Sequence, residues 1–211
     1  MTDIKHHIPD PLIAAYVSGS LQQPYAVVLA THISLCAECR ARYEAHLAMG
    51  GAVLDTLPSE VVSPTAKSRL MAEIDRPERP IKVPQGFDIY PSPLAKVLNG
   101  KPPKWRSVGL GAKQSILSSG RGGNLRLLYI PAGQAVPDHG HRGMELTLVL
   151  QGSFSDEDGS FGVGDLEVAD QEVEHTPVAG REGPCICLAA TDAPLRFNSL
   201  MPRMLQPFLK I

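Results

Sequence analysis

Residues 133–152 read GQAVPDHGHRGMELTLVLQG, and this stretch predicts β-structure together with a metal site. In an extended segment, positions i and i+2 point to the same face, so His139 and His141 can chelate one ion. Gly143 permits a turn that brings Glu145 back as a third ligand. The apolar run that follows is short and ends at a glycine, which is typical of a buried strand.

A fourth ligand for this site is expected from a neighbouring strand. His175 is the only histidine that follows the stretch, and it lies in a predicted strand-turn region over residues 170–177. Three histidines and one glutamate suit zinc, iron or manganese, often with an open coordination position. A polar loop that merely contains two histidines is the alternative, but it leaves the joint spacing of ligands and glycines unexplained. Enzymes and binding domains both use such a set, so it does not decide between them.

Short apolar runs bounded by Gly, Pro or Asp recur throughout residues 104–211, for example at 124–130 and 185–190. This pattern predicts an all-β sandwich or barrel. Residues 76–103 contain seven prolines in 28 positions. Because proline lacks an N–H donor and cannot continue a helix, this segment is predicted to be a semi-extended linker that lets two domains move.

Residues 1–75 are expected to be helical. Asp10, which precedes a proline, suits the N-cap of a first helix, and Gly19 suits its end. After a second helix, Ser34 is predicted to cap a third helix that carries both N-terminal cysteines. A fourth short helix is expected to open at Ser63.

The stretch HISLCAEC carries a second, thiolate-rich set of ligands. His32, Cys36 and Cys39 are four and three residues apart, spacings that bring side chains to one face of a helix or helix junction. A structural zinc site needs a fourth ligand, and the His6–His7 pair is the obvious donor. We prefer His7, which lies closer to the first helix, and His6 remains the alternative.

The four cysteines occur as two close pairs. In a reducing cytosol such pairs indicate metal or redox chemistry more often than disulfides, and a zinc-bound thiolate is open to attack by oxidants. The alternative for Cys36 and Cys39 is that both are core positions of an amphipathic helix. Cys185 and Cys187 face the same side of a predicted strand, and we interpret them as core residues, with a redox-reactive pair as the alternative.

Composition excludes several classes of protein. The chain has 211 residues, enough for two small domains, and a net charge of −2 without a polybasic run, which disfavours direct nucleic-acid binding. Residues 1–57 hold three Lys/Arg against five Asp/Glu, so a DNA-binding helix-turn-helix is also disfavoured. There is no 18-residue apolar stretch for a membrane span and no apolar signal segment, so we expect a cytoplasmic protein.

Over nearly its whole length the chain resembles the ChrR-type zinc anti-sigma factors. The likeness rests on the HisHis-x2-Asp pattern of residues 6–10, the His-x3-Cys-x2-Cys signature, residues 134–141 and the tail from Cys185 onward. It is weakest in the proline-rich middle. The resemblance implies an α+β, two-domain protein. Residues 1–75 would form an all-α, zinc-binding anti-sigma domain, 76–103 a linker, and 104–211 an all-β cupin, a jelly roll or double-stranded β-helix.

The resemblance also assigns the ligands. The N-terminal site would hold Zn²⁺, and the cupin site Zn²⁺ or another divalent metal such as Mn or Fe. Asp170 and Glu172 stand where cupins in general have a proline and a glycine, which weakens the analogy to cupin enzymes at large. The implied ligands are His7, His32, Cys36 and Cys39 for the first site and His139, His141, Glu145 and His175 for the second.

The function implied by the resemblance is regulatory. The N-terminal helices would bind an extracytoplasmic-function sigma factor of the sigma-E group and keep it from core RNA polymerase. Singlet oxygen or organic peroxide would release it, with the cupin domain taking part in the response. We therefore expect no enzymatic activity, no direct contact with nucleic acid and no membrane. The competing hypothesis is a metal-dependent cupin enzyme, dioxygenase-like, with the helical region as an assembly domain.

Overall fold

A computed structural model describes residues 3–76, 85–136, 139–140, 143–170, 174–192 and 196–197. Its helices are α1 (Asp10–Val17), α2 (Gln23–Leu35), α3 (Ala37–Asp55), α4 (Ala66–Ile74) and α5 (Ser92–Val97). Its strands are β1 (Arg106–Gly109), β2 (Ala112–Gly120), β3 (Gly123–Ile130), β4 (His139–Gly140), β5 (Glu145–Gln151), β6 (Phe154–Ser155), β7 (Ser160–Phe161), β8 (Leu166–Ala169), β9 (Glu174–His175), β10 (Val178–Ala179), β11 (Cys185–Thr191) and β12 (Arg196–Phe197). Among the described residues, none of the helices has both the length and the apolar character needed to cross a membrane.

The predicted helices are present, with differences at their ends. The N-cap of α1 is Pro9 rather than Asp10, which is the first helical residue, and Gly19 follows the helix in the left-handed conformation expected of it. The predicted cap Ser34 is wrong, because α2 continues through it and Cys36 caps α3 instead. The Cys36 thiol caps α3 in place of the predicted Ser34 hydroxyl, because α2 ends at Leu35 and Cys36 is the one residue between the two helices. The fourth helix begins at Ala66, after an irregular turn at Ser63.

The C-terminal half consists of antiparallel sheets, as predicted. The largest has six strands in the order β1-β2-β3-β11-β5-β8, and two three-stranded sheets follow the orders β10-β6-β7 and β12-β4-β9. β5 and β11 lie in the interior of the large sheet, and every residue of β11 is buried. The continuous apolar runs seen in the sequence are therefore strands covered on both faces.

Helix α2 covers one face of the large sheet. Its residues Tyr25, Val28 and Leu29 are at most 2% exposed and belong to one hydrophobic cluster with side chains of β3, β5 and β11, among them Leu127 and Leu188. The Tyr25 hydroxyl donates a hydrogen bond of 2.8 Å to the carbonyl of Met144. The helices and the sheet thus share a core in this structure.

The prediction of an extended linker over residues 76–103 is wrong for its second half. Phe87 and Tyr90 exchange two backbone hydrogen bonds, and α5 follows and packs on α2, with Leu94 and Ala95 fully buried. Two of the prolines explain the error, because they occupy the N-cap and the first turn of α5, where a fixed φ favours a helix start. Residues 77–84 lie outside the described part, and the domain boundaries at 76 and 103 stay a prediction.

The packing of α5 can be tested at Leu94. We expect Leu94→Ala to lower the free energy of unfolding by about 2–5 kcal/mol, because a fully buried leucine loses its contacts and leaves a cavity. Urea unfolding of the full chain measures this change. Leu110→Ala is the matched control, since Leu110 is 78% exposed. Equal stability of the two variants would show that α5 does not pack as described.

Candidate metal centres

The junction between α2 and α3 forms the first candidate centre. His32 lies in the last turn of α2, and Cys39 lies in the first turn of α3. Between the helices Cys36 has extended backbone angles, φ −101° and ψ 113°, and its Sγ accepts a hydrogen bond of 3.4 Å from the Cys39 N–H. The one-residue break turns the chain so that side chains from both helices meet on one side.

Residues 3–8, which we call the N-terminal arm, bring His7 to this junction. The His7 Nδ1 atom lies 3.3 Å from Cys36 Sγ and 3.6 Å from Cys39 Sγ, and His32 Nε2 lies 3.3 Å from Cys39 Sγ. All four ligand atoms lie within 4.8 Å of one another. Zinc bonds of about 2.0–2.3 Å in a tetrahedron set ligand atoms roughly 3.3–3.8 Å apart, so these residues fit a closed zinc site.

The surroundings of the four side chains favour a metal. His32 and Cys39 are fully buried, and burial raises the pKa of Cys39 to about 11 while lowering that of His32 to about 4. The histidine is therefore neutral, the form that binds metals, and a bound cation supplies the positive charge that a buried thiolate needs. The N–H of Ile8 donates a hydrogen bond of 3.3 Å to Cys39 Sγ, and it partly offsets the effect of burial on that thiol.

The rings of His6 and His7, although adjacent in sequence, lie in different surroundings. His7 lies in the cluster, and its other ring nitrogen, Nε2, is 3.2 Å from the Glu38 carboxylate, a partner of the kind that orients metal-bound histidines. The His6 ring instead lies against Phe161, with 4.3 Å between ring centroids. Sequence reasoning did not identify Glu38, although its place between the two cysteines is a usable signal.

The second predicted ligand set is described only in part. Strand β4 pairs with β9 so that the backbone of His139 lies directly opposite that of His175. Glu145 begins β5, is 8% exposed, and accepts a hydrogen bond of 3.0 Å from the Thr147 hydroxyl. His141 lies outside the described residues, and so do the side chains of His139 and His175. The second site therefore stays a prediction, with two of its histidines on paired strands.

Cys185 and Cys187 lie on one face of β11, with their sulfur atoms 3.5 Å apart. They are 1% and 5% exposed and pack in a second hydrophobic cluster with Val149, Phe154 and Phe161. The hydrogen bond with Cys185, together with burial, raises the pKa of Cys187 well above its usual value. The Cys187 thiol therefore stays protonated, and the burial of both cysteines favours their interpretation as core residues.

Comparison with known proteins identifies the family. Residues 96–193 match the family model described as the ChrR cupin-like domain. The anti-sigma-E factor ChrR of Cereibacter sphaeroides is 51% identical to this chain over 211 residues, which is 99% of each protein. The chain belongs to the ChrR family. The crystal structure of Rhodobacter sphaeroides SigE in complex with the anti-sigma ChrR matches this ChrR-family chain with a TM-score of 0.81 and 48% identity, covering 90% of this chain and 100% of the other.

Membership in the ChrR family confirms the predicted fold class, a helical N-terminal region followed by a cupin. It also bears on the competing hypothesis of a cupin enzyme. ChrR of Cereibacter sphaeroides, which is similar to this chain over its full length, is an anti-sigma factor, which is a regulatory protein and not an enzyme. This relative favours the expected regulator over the cupin enzyme.

Proposed function

We propose that this chain binds and inhibits an extracytoplasmic-function sigma factor of the sigma-E type through its N-terminal helices. Support comes from the relative named as an anti-sigma-E factor and from the similar chain that was solved in complex with SigE. The protein acts in the cytoplasm, where sigma factors meet RNA polymerase. It competes for the sigma factor and does not contact nucleic acid.

The observation that carries this proposal is an exposed apolar surface on the second half of α3, on α4 and on the segment between them. We call it the α3–α4 apolar face. No residue of α4 is buried, and Val61, between the helices, is 98% exposed. Large apolar side chains left exposed together along one stretch of a folded protein indicate a site for a partner. The large side chains of the face are Leu47, Met49, Val53, Leu54, Leu57, Val61, Val62, Leu70, Met71 and Ile74.

Zinc bound by His7, His32, Cys36 and Cys39 holds the helices that present this face. Helix α1 has only 8 residues, too few for stability in isolation, and α3 leaves the centre directly from Cys36 and Cys39. When bound, the ion ties the N-terminal arm, α2 and α3 at one point and fixes the direction of α3. In small domains such binding contributes directly to folding.

Release of the sigma factor follows oxidation by singlet oxygen or organic peroxide. The zinc-bound thiolates are groups that oxidants attack, and their loss would free the helices. The cupin takes part through a second divalent metal, zinc, manganese or iron, held by His139, His141, Glu145 and His175. Imidazole and carboxylate ligands suit these metals.

The experiment for this function is transcription in vitro from a sigma-dependent promoter with purified polymerase. Zinc-loaded full-length protein should inhibit at a one-to-one ratio to its own organism's sigma-E-type factor, and added singlet-oxygen generator should restore transcription. Undiminished transcription in the presence of zinc-loaded protein would contradict the proposed inhibition. Persistent inhibition after oxidation would contradict only the proposed release.

The second metal site is tested by metal content. We expect His141→Ala to lose one metal ion per chain and to keep the zinc of the thiolate site, because the second site then has too few ligands for tight binding. Elemental analysis of the full chain measures this, and His46→Ala serves as the histidine control. Unchanged metal content in His141→Ala would show that His141 is not a ligand.

A further inference from the structure

The turn over residues 162–165 joins β7 to β8 and contacts the N-terminal arm from the cupin side. Asp165 is 4% exposed, and its Oδ1 atom accepts hydrogen bonds from the backbone N–H of Lys5 at 2.7 Å and of His6 at 2.9 Å. The N–H of Leu166 donates to the His6 carbonyl at 3.2 Å. Three hydrogen bonds thus fix the backbone of the two residues that precede His7.

Asp165 keeps its negative charge in this position. Burial by itself would raise its pKa, but hydrogen bonds from the backbone N–H groups of His6, Gly162 and Lys5 outweigh burial and lower the pKa below its usual value. The second carboxylate oxygen accepts the Gly162 N–H at 2.8 Å. Hydrogen bonds to a charged acceptor are stronger than those between neutral groups, so the arm is held firmly.

Apolar contacts between the same two segments add to these hydrogen bonds. Gly164 has φ +93°, and a Cβ at this position would lie 2.6 Å from the Cδ1 atom of Ile4, so the arm crosses the turn in close contact. The His6 ring lies on Phe161, which in turn stacks on Phe154 with 4.8 Å between centroids. The arm is therefore seated on the cupin through both backbone and side chains.

We infer that the 162–165 turn is part of the N-terminal zinc centre, with Asp165 as a positioning residue for His7. Retention of zinc by the anti-sigma helices then depends on the cupin. This inference rests on the proposed zinc site and adds its regulation. Through this turn the cupin contacts the arm that carries His7, and the ion bound by His7 fixes the position of the sigma-binding helices.

The turn is connected to the strand that begins at Glu145, a proposed ligand of the second site. The Gly164 N–H donates to the Val149 carbonyl at 2.9 Å, and the Val149 N–H donates to the Asp165 carbonyl at 3.1 Å. Val149 and Glu145 belong to the same strand, β5. Through these hydrogen bonds, a shift of β5 at the second site would move the 162–165 turn and, with it, the arm and His7.

The test uses the cobalt–thiolate charge-transfer band of the cobalt-loaded full chain. This band reports the N-terminal centre alone, since the second ligand set contains no cysteine. Its decay after addition of a chelator gives the rate of metal release. We expect Asp165→Ala to release cobalt about tenfold faster than the wild type, because removing a group that orients a metal ligand typically weakens metal binding by about 10–100-fold. Ile4→Ala, on the other side of the contact, should change the rate in the same direction.

Two controls separate positioning from general stability. Asp158→Ala removes an exposed carboxylate from the neighbouring turn and should keep the wild-type rate. Ile130→Ala lies on β3 beside the second hydrophobic cluster and should lower the melting temperature without faster release. A wild-type rate in Asp165→Ala would overturn the inference. Absence of the band from the wild type would overturn the zinc site itself.

Discussion

Replacing Cys39 with serine should remove zinc from the N-terminal centre and abolish binding of the sigma factor. Cys39 contacts His7 and His32, is fully buried, and lies in the first turn of the helix that carries the apolar face. A structural zinc site contributes about 10–16 kcal/mol in small peptides, as much as the whole stability of a typical domain. Without the ion, α3 loses the link that ties it to His7 of the arm and to His32 of α2.

The loss of structure in Cys39→Ser should be local. Helix α2 stays in place because Val28 and Leu29 remain packed against the sheet, whereas α1 and α3 lose their common anchor. Circular dichroism should show a partial loss of helix, and elemental analysis should show one zinc fewer per chain. Cys187→Ser is the control, because that buried thiol lies on β11, within the sheet. Full sigma binding by zinc-free Cys39→Ser would contradict a structural role for the ion.

Placing a charge on the α3–α4 apolar face should abolish sigma binding while leaving the fold intact. Leu54 is 67% exposed, so Leu54→Asp disturbs little in the free protein. In a complex the same aspartate would be buried without a partner, which costs several kcal/mol. We expect an affinity at least about a hundredfold lower, since each 1.4 kcal/mol is a factor of ten.

Leu110→Asp provides the matched comparison for this change. Leu110 is 78% exposed, lies in the turn between β1 and β2, and belongs to the cupin, away from the α3–α4 apolar face. Titration calorimetry with the purified sigma factor should give wild-type affinity for Leu110→Asp and none that is measurable for Leu54→Asp. Equal affinities would place the binding surface elsewhere on the protein.

Part of the zinc centre could be predicted because its ligands are close in sequence. The spacing of His32, Cys36 and Cys39 determines where their side chains point once a helix junction forms. The choice of His7 over His6 depends on the path of the arm, which is fixed by contacts with a turn some 160 residues further along the chain. From the sequence alone, Gly164 and Asp165 predict only a turn, and nothing in the sequence links Asp165 to the zinc centre.

The second half of the proline-rich segment was wrongly predicted to be extended, because the effect of proline on a helix depends on its position. In the interior of a helix proline breaks the helix, whereas in the first turn it favours the start of one. Whether a helix then forms depends on whether its apolar side chains have a partner to pack against. Leu94 has such a partner on α2, and that contact turns part of a presumed linker into α5. The extended apolar runs gave a secure prediction of strands, since burial of both faces leaves a continuous apolar pattern.

The central claim, that zinc-held helices bind a sigma factor, is tested most directly by native mass spectrometry. The full chain would be mixed with its own organism's sigma-E-type factor, with and without prior removal of zinc from the thiolate centre. We expect a one-to-one complex that contains the zinc ion, and free components when the ion is absent. A zinc-loaded chain that stays alone beside the sigma factor would contradict it.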